Sequence, residues 1–523
     1  MAVLLFAAHA DGSTPIALDS AVRGAIRRGL IQPVTSIDDH SAAAFFVDLD
    51  AFQDNMKVLR DAFPPHWLHC MAIKTNPLAA TLTLARAAGH GAECASIGEV
   101  MHAISLGFKP HQVVYDSPCK TLPEIRFALE HGVQLNIDNL QELERVRDVL
   151  QDLGGSASVI GLRINPLVGA GSVSALSVST RQSKFGVMLE EADETARQEL
   201  VALLVHSAPF VTALHCHVGS GSMSLEQMAQ GAAVIARLAL DVNEARRHAT
   251  GSSARVIDVL DIGGGLPVSF GGGEQTPTFG DYAAALRGCA PSLFDASAFR
   301  QVVTEFGAAM HCRFGWLGSV VELTKRTELA SGASAGGMAE GGPREVCAPE
   351  GSEGQIAVIH AGSDLFLRAC YAPEMRAPHP VAAYTAQGER RCVSDSEPAL
   401  RTDVAGPLCF AGDIVVRAVP LPRLVPGDVI VLQEAGGNTL SLSTSHCARR
   451  RPPVYGYRLG LERATQSEEQ DGLRFDLLAA GATYDQALEY FASAGSTARV
   501  EQPVGGSLTE GDWRTGVRRD ELQ

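Results

Sequence analysis

The sequence lacks the features of disulfide-stabilised, membrane-spanning and nucleic-acid-binding proteins. Its 11 cysteines are scattered without a C-x-x-C pair, which indicates reduced thiols in a cytoplasmic compartment. No stretch has the length of a transmembrane helix, and the apolar start MAVLLFAAHA has no basic region of the kind that secretory signals carry. Positive charge is scarce: 43 Lys and Arg face 59 Asp and Glu, giving a net charge of -16. The composition therefore predicts a cytoplasmic protein with no membrane and no nucleic-acid partner.

Apolar residues, in contrast, are plentiful enough for more than one core. Hydrophobic residues make up 46% and charged residues 20% of the 523 residues, which is a globular composition. Because a chain of this length exceeds one ordinary domain, we expect two.

One pattern repeats eight times in the first part of the chain: a short apolar or β-branched run, a turn, and then a segment with helical periodicity. Eight successive strand–helix units predict a parallel (β/α)8 barrel rather than an open sheet. The runs are CMAIK (70–74), GAECAS (91–96), QVVYDS (112–117), VQLNID (133–138), SVIGLRIN (158–165), VTALHCHVG (211–219), VIDVLDIGGG (256–265) and QVVTEFG (301–307).

After Gly307 the pattern changes to consecutive strands with Pro and Gly turns and few helices, which predicts a second, mainly β domain. We therefore expect an N-terminal extension (1–42) that partly packs on the β domain, a barrel (43–308) and a C-terminal β domain (309–523). The segment 331–354 is rich in Gly, Ala, Ser and Glu and is expected to be a flexible insertion, and the chain is expected to end in a polar tail.

Chemistry in such barrels gathers at the C-terminal ends of the strands. Lys74 stands at the end of the first run, Glu305 at the end of the last, and Gly263–Gly265 follow the seventh. Each feature alone has an ordinary explanation: a solvated lysine, a strand-end ion pair, a flexible turn. Together on one rim they indicate a site.

The pair His215 and His217 allows two interpretations. Both side chains fall on the same face of a strand, so they could bind a metal ion or one ring could stack on a planar cofactor. No third ligand stands at a suggestive spacing, so we predict no metal.

This combination matches what pyridoxal phosphate requires. A lysine can form a Schiff base with its aldehyde, a carboxylate can keep its pyridine nitrogen protonated, and a glycine turn can hold its phosphate. The sequence therefore predicts pyridoxal 5'-phosphate as the cofactor.

In family order over most of residues 41–457, the sequence resembles the fold-type III, or alanine-racemase-like, pyridoxal-phosphate enzymes. More narrowly, it resembles the diaminopimelate, ornithine and arginine-type decarboxylases. The similar blocks are AIKTNP, GAECASIGEV, HCHVGSG, DIGGGLP, EFGAAM, DLFLRACY and GPLCFAGD.

The resemblance implies a role for each matching residue. Lys74 would carry the cofactor, His217 would stack on its ring and Glu305 would pair with its nitrogen. Ser220, Gly263, Gly264 and Gly265 would lie near its phosphate. Cys409 would reach the partner subunit's active site as a proton donor, which implies a homodimer. Asp364, Arg368 and Glu93 are candidate contacts to an amino-acid substrate.

Three positions depart from the family pattern. Ala308 stands where the family has a phosphate-binding arginine, and Asn438 stands where it has a tyrosine. Phe410 replaces the acidic residue after the cysteine, which suggests a less cationic or differently shaped substrate.

The leading hypothesis is accordingly a pyridoxal-phosphate-dependent amino-acid decarboxylase. The alternatives are a racemase on the same cofactor, a catalytically silent relative acting as a regulatory or binding partner, and an aldolase-type barrel with a Schiff-base lysine.

Overall fold

The computed structural model describes residues 16–190, 192–250, 256–271, 277–328, 353–372, 379–394, 397–459, 472–489 and 491. In chain order, the strands are β1 (Ala43–Asp48), β2 (Trp67–Ala72), β3 (Gly91–Cys94), β4 (Val113–Asp116), β5 (Gln134–Ile137), β6 (Ile160–Asn165), β7 (Val187–Met188), β8 (Ala213–His215), β9 (Val259–Asp261), β10 (Gln301–Phe306), β11 (Gly315–Glu328), β12 (Glu353–Ile359), β13 (Val381–Tyr384), β14 (Arg390–Arg391), β15 (Leu400–Ala405), β16 (Ile414–Leu421), β17 (Val429–Leu432), β18 (Val454–Leu459) and β19 (Leu473–Ala479).

The described helices surround the first group of strands and cover part of the second. They are α1 (Ile16–Arg27), α2 (Leu49–Ala62), α3 (Ala79–Ala87), α4 (Ile97–Ser105), α5 (Leu122–Glu130), α6 (Leu140–Leu153), α7 (Glu194–Ala202), α8 (Leu225–Thr250), α9 (Phe279–Cys289), α10 (Ala308–His311), α11 (Leu367–Tyr371) and α12 (Tyr484–Leu488).

Eight parallel strands form a closed barrel. Their order is β5-β4-β3-β2-β10-β9-β8-β6, and pairing of β5 with β6 closes the ring. Seven of the eight predicted runs contain a whole barrel strand, and the first run, CMAIK, overlaps only the end of β2, which begins at Trp67. The predicted (β/α)8 barrel is therefore confirmed. Those seven strands are shorter than their runs.

The barrel helices begin and end where their sequences supply caps. In α6, the Asn139 side chain accepts a hydrogen bond from the backbone N–H of Glu142, and Gly154 closes the helix in the left-handed conformation. The face carrying Leu143 and Val146 is buried in the barrel core. Capping and a single apolar face fix this helix against the strands.

The remaining long strands form a ten-stranded sheet, as the predicted mainly β domain requires. Strand β1, which the sequence-based boundaries assigned to the barrel, lies in this sheet instead, between β11 and β18. Apolar residues of α1 pack on the same sheet. The chain thus enters the sheet at β1, builds the barrel, and returns to the sheet at β11.

Two expected segments fall mainly outside the described residues. The insertion at 331–354 is one; its last two residues, Glu353 and Gly354, already belong to β12, which pairs with β11. The C-terminal tail is the other. The run GPLCFAGDIVV forms a strand only from Ile414 onward, and the residues before it, with Cys409, form a loop.

Candidate active site

Lys74 lies in a single 3-10 turn, Ile73–Thr75, that follows β2 at the mouth of the barrel. Its Nζ is 2.6 and 2.7 Å from the two carboxylate oxygens of Glu93, which is fully buried on β3. Burial opposes the charge of the ammonium, but the carboxylates of Glu93 and Glu305 outweigh it and raise the pKa of Lys74. The lysine is therefore a charged, half-exposed amine held by one buried partner.

Glu305, on β10, is buried, and one of its carboxyl oxygens, Oε1, has no hydrogen-bond partner among the described residues. The carboxyl group is hydrogen-bonded to Asp261 on the neighbouring strand β9. Burial, with the charge of Asp261 added, raises the pKa of Glu305 well above its usual range. An unpartnered oxygen in such a place fits a ligand that brings an N–H donor.

His215 lies between two acids inside the barrel. Its Nδ1 is 3.6 Å from Asp116 and its Nε2 is 3.7 Å from Glu305. Burial lowers the pKa of His215 to about 3. Asp116 forms a buried ion pair with Arg163 at 3.1 Å, which holds the pKa of that carboxyl below its usual value although burial opposes this. The two acids face opposite nitrogens of one ring. One possible ligand atom from each of these three buried side chains lies within 4.8 Å of the other two.

His217 follows β8 with its ring held from two sides. Its Nδ1 accepts a hydrogen bond of 3.1 Å from the backbone N–H of Gly264, and its Nε2 is 3.3 Å from the hydroxyl of Ser220. Burial lowers the pKa of His217, so the ring is neutral and carries its proton on Nε2. These contacts fix the plane of the imidazole beside the glycine turn.

The glycine turn packs too tightly for side chains. A Cβ atom on Gly264 would lie 1.8 Å from the carbonyl oxygen of Glu305, and one on Gly265 would lie 1.9 Å from that of Gly219. The N–H of Gly263 donates to Asp261, and that of Gly264 donates to His217. The turn thus joins the histidine and the acids into one unit and leaves a surface without side chains.

A loop from the ten-stranded sheet closes against the turn that carries the lysine. The backbone N–H of Asn438 donates to the carbonyl of Thr75 at 2.9 Å, and the Asn76 amide donates to the carbonyl of Gly436, also at 2.9 Å. Asn438 has a positive φ of 56°. Both domains therefore shape the surroundings of Lys74.

Several predicted substrate contacts are engaged elsewhere or lie apart from this group. Glu93 is committed to Lys74. Asp364 accepts from the N–H of Gly362 and lies 3.6 Å from Arg449. Arg368, on α11, is half-buried near the thiol of Cys312, and burial lowers its pKa.

Cys409 is exposed, and no described hydrogen bond or ion pair links it to the barrel. The next residue, Phe410, stacks on Tyr371 of the same chain, with ring centroids 4.8 Å apart. The cysteine loop therefore presents Cys409 to the outside of this chain.

Sequence reasoning missed the inner layer of the site. Asp261 accepts hydrogen bonds of 3.1 Å from the Gly263 N–H and the Asn136 amide, and it contacts Glu305. The signal was present, because Asp261 precedes the glycine triplet in a run that ends at the barrel mouth. Which strands it would face depends on barrel register, which a sequence does not display.

The residues present fit pyridoxal phosphate. The unpartnered Oε1 of Glu305 suits the protonated ring nitrogen, and the exposed hydroxyl of Ser220, beside the glycine turn, suits a phosphate oxygen. Lys74 supplies the primary amine at the same end of the barrel. Fold and site together define the class of fold-type III pyridoxal-phosphate proteins, in which a (β/α)8 barrel is followed by a sheet domain.

Comparison with known proteins narrows this class to a family. Residues 49–311 match the pyridoxal binding domain of pyridoxal-dependent decarboxylases, and residues 336–436 match their C-terminal sheet domain. The chain belongs to the pyridoxal-dependent decarboxylase family, and its cofactor is pyridoxal phosphate.

Individual relatives agree with this assignment. The chain is 27% identical over 435 residues to a diaminopimelate decarboxylase of Methanothermobacter thermautotrophicus, covering 82% of this chain and 90% of that protein. It is 29% identical over 389 residues to the diaminopimelate decarboxylase of Pseudomonas aeruginosa, covering 74% and 80%. The crystal structure of Helicobacter pylori diaminopimelate decarboxylase with L-lysine superposes with a TM-score of 0.66 at 22% identity, covering 86% of this chain and 97% of that one. That structure supports the fold.

No helix among the described residues combines sufficient length with sufficient apolar character to cross a bilayer.

Proposed function

We propose that this protein decarboxylates an amino acid of the type handled by diaminopimelate and ornithine decarboxylases, with Lys74 as the residue that attaches the cofactor. The observation that carries the proposal is that one end of the barrel holds both the Lys74 amine and the buried Oε1 of Glu305, which has no hydrogen-bond partner among the described residues. A lysine amine is the group that reacts with the aldehyde of pyridoxal phosphate, and a carboxylate is the group that binds its ring nitrogen.

Each remaining residue has a task in this proposal. When bound, the cofactor supplies an electron sink for the charge left by loss of carbon dioxide. Glu305 would keep the ring nitrogen protonated, and His217, fixed by Gly264, would stack on the ring. Ser220 and the glycine turn Gly263–Gly265 would hold the phosphate.

The substrate is expected to be an amino acid because the relatives named above are diaminopimelate decarboxylases and one of their structures contains L-lysine. Arg368 is our candidate for its carboxylate, since no described carboxylate forms an ion pair with this half-buried cation. Phe410, stacked on Tyr371, offers no negative charge to a distal ammonium. Because an aromatic residue stands here in place of an acid, we expect a substrate with a less cationic side chain.

The assembly and location are part of the same proposal. Cys409 is exposed on a loop and forms no hydrogen bond or ion pair with the described residues of its own barrel, which suits a proton donor delivered to the site of a second copy in a homodimer. None of the ten described cysteines forms a disulfide with another, which suits the reducing cytoplasm.

The absorption spectrum of the protein with pyridoxal phosphate tests the attachment site. Wild-type protein should develop a visible band that borohydride fixes to the chain, and Lys74→Ala should not. Lys57→Ala, which changes an exposed lysine on α2, is the matched control and should behave as wild type. A band that survives in Lys74→Ala would assign the attachment to another residue.

Release of carbon dioxide from a panel of amino acids tests the reaction. Diaminopimelate, ornithine, lysine and arginine, together with amino acids with neutral side chains, should be compared, and we expect release from at least one. Racemisation without release would support the racemase. An absence of any turnover by protein that carries the band would support a regulatory or binding role.

A further inference from the structure

Asp261 and Glu305 form a buried pair of acids at the floor of the site. Asp261 has no exposed surface, and Glu305 is 4% exposed. Two adjacent carboxylates in such a place cannot both ionise, so the pair holds one proton above the pKa of Asp261, which is about 7, and two below it. The question is which of the two acids carries it.

Hydrogen bonding assigns the proton to Glu305 in the cofactor-free protein. One oxygen of Asp261 accepts from the backbone N–H of Gly263 and the other accepts from the Asn136 amide. Both donors favour the ionised form of Asp261. Asp261 therefore accepts the hydrogen bond that joins the pair, and Glu305 donates it.

The charged and titratable groups around the pair come from several strands. They are Lys74 and Cys70 from the β2 region, Glu93 on β3, Asp116 on β4, His215 on β8 and Cys216 directly after it. Lys74 is the one cation among these six, and it is already held by Glu93. The surroundings therefore favour keeping the proton within the pair.

We propose that Asp261 is a positioning residue that takes the proton from Glu305 when the protonated ring nitrogen of the cofactor occupies the site. The O–H bond of Glu305 breaks and an O–H bond of Asp261 forms. Glu305 becomes a carboxylate that accepts from the ring N–H on one side and from Asp261 on the other. No proton is exchanged with solvent. This inference rests on the proposed function, because it places the cofactor's nitrogen at Oε1 of Glu305.

Asp261→Asn removes the acceptor for this proton while preserving the shape of the side chain. Burial is the largest cause of the raised pKa of Glu305, so Glu305 keeps its proton in this variant before binding. Binding of a protonated ring must then expel that proton into solvent. The variant should release about one proton more per site than wild type does.

Calorimetry in buffers of different ionisation enthalpy counts these protons. The probe is pyridoxine 5'-phosphate, whose alcohol cannot react with Lys74, so the count excludes covalent attachment. Wild type, Asp261→Asn and Asp138→Asn should be compared at one pH well above 7, where Asp261 is ionised before binding. Asp138 is a buried carboxyl whose side chain accepts from the Gly186 N–H, and its substitution should leave the count unchanged.

If Asp261→Asn fails to fold, a measurement on wild type alone still tests the role of Asp261. The benzene analogue of pyridoxine phosphate carries a C–H in place of the ring nitrogen, so the phosphate contribution is common to both compounds. Wild type should release equal numbers of protons with the two. Release of about one extra proton with the pyridine compound would show that the Glu305 proton leaves for solvent, and would overturn the role of Asp261.

The two failures are distinguishable. If wild type binds neither compound and forms no visible band with pyridoxal phosphate, the proposed function is refuted together with this inference. If both compounds bind, and Asp261→Asn releases the same number of protons as wild type, only the role of Asp261 is refuted.

Discussion

At the scale of single residues, the contact between Lys74 and Glu93 sets the chemistry of the amine. An amine attacks an aldehyde only in its neutral form, yet Glu93 favours the ammonium. Both carboxylate oxygens of Glu93 lie within 2.7 Å of Nζ. The reactivity of Lys74 therefore depends on the charge of one buried side chain.

Glu93→Gln should move the pH dependence of cofactor attachment downward. Burial opposes the charge of Lys74, and Glu93 is the largest influence in the other direction, so the pKa of Lys74 falls when the carboxylate is removed. We expect the midpoint of the attachment rate, followed by absorbance against pH, to fall by about one unit or more. Glu93→Asp retains the charge and serves as the control. An unchanged midpoint in Glu93→Gln would show that the ion pair does not govern attachment.

Arg368 should contribute to binding of the substrate carboxylate. A charge-assisted hydrogen bond contributes about 1.5–3 kcal/mol, so Arg368→Met should raise KM by about tenfold to a hundredfold, with a smaller effect on kcat. Arg145→Met, which changes an exposed arginine on α6, is the control. A loss of cofactor affinity at unchanged KM would instead assign Arg368 to the phosphate, where Ala308 has removed the family's arginine.

At the scale of elements, the barrel strands could be predicted because each is a short apolar run followed by a turn and a helical segment. The placement of the candidate residues Lys74, His217 and Glu305 at one rim could be predicted for the same reason, since the strand ends meet there. The position of β1 could not be predicted from the sequence, because its apolar run AFFVD suits a strand of either domain. Its partners Gly315–Ser319 and Val454–Tyr457 lie hundreds of residues away. The contact between Asp261 and Glu305 could not be predicted from the sequence either, because it depends on the register between the neighbouring strands β9 and β10.

The loop after β17 should be sensitive to any added side chain. A Cβ on Gly436 would lie 2.1 Å from the carbonyl oxygen of His311, a backbone atom with little freedom to move. Gly436→Ala should therefore lower the free energy of unfolding by about 1–3 kcal/mol and weaken cofactor binding, because the same loop contacts Thr75 and Asn76.

Denaturant unfolding and cofactor titration measure the two effects of Gly436→Ala. Gly288→Ala is the matched control, since a Cβ at that position in α9 would meet no atom within 4 Å. An alanine at Gly436 that leaves both stability and cofactor affinity unchanged would mean that the loop adjusts freely and does not shape the lysine site.

At the scale of the whole molecule, the barrel and the sheet meet around buried titratable groups, so stability depends on pH. Burial raises the pKa of Asp48 to about 6 and of Asp261 to about 7. These two acids favour the folded protein at low pH, an effect lost as pH rises through those values. Burial also lowers the pKa of His69 to about 3 and of His90 to about 4. These two histidines favour the folded protein at high pH, and their effect is lost as pH falls. Because the acids and the histidines change stability in opposite directions, the contribution of one group must be measured by substituting it.

His311 allows this isolation at the junction of the two domains. Its ring is buried, stacks on Phe52 with centroids 5.1 Å apart, and has no described partner for Nε2. Burial lowers its pKa from 6.5 to about 4. The unfolded chain therefore takes up a proton that the folded protein refuses, and the stability associated with a neutral His311 is lost as pH falls from 6.5 to about 4.

His311→Phe should abolish that loss while keeping an aromatic ring against Phe52. Relative to wild type, the variant should gain on the order of 2–3 kcal/mol in unfolding free energy between pH 8 and pH 4. Denaturant unfolding of both cofactor-free proteins at several pH values measures this difference, and the value at pH 8 absorbs any change in packing. Parallel stability curves across this range would show that His311 titrates alike in the folded and unfolded chains, and that burial at the domain junction does not control its charge.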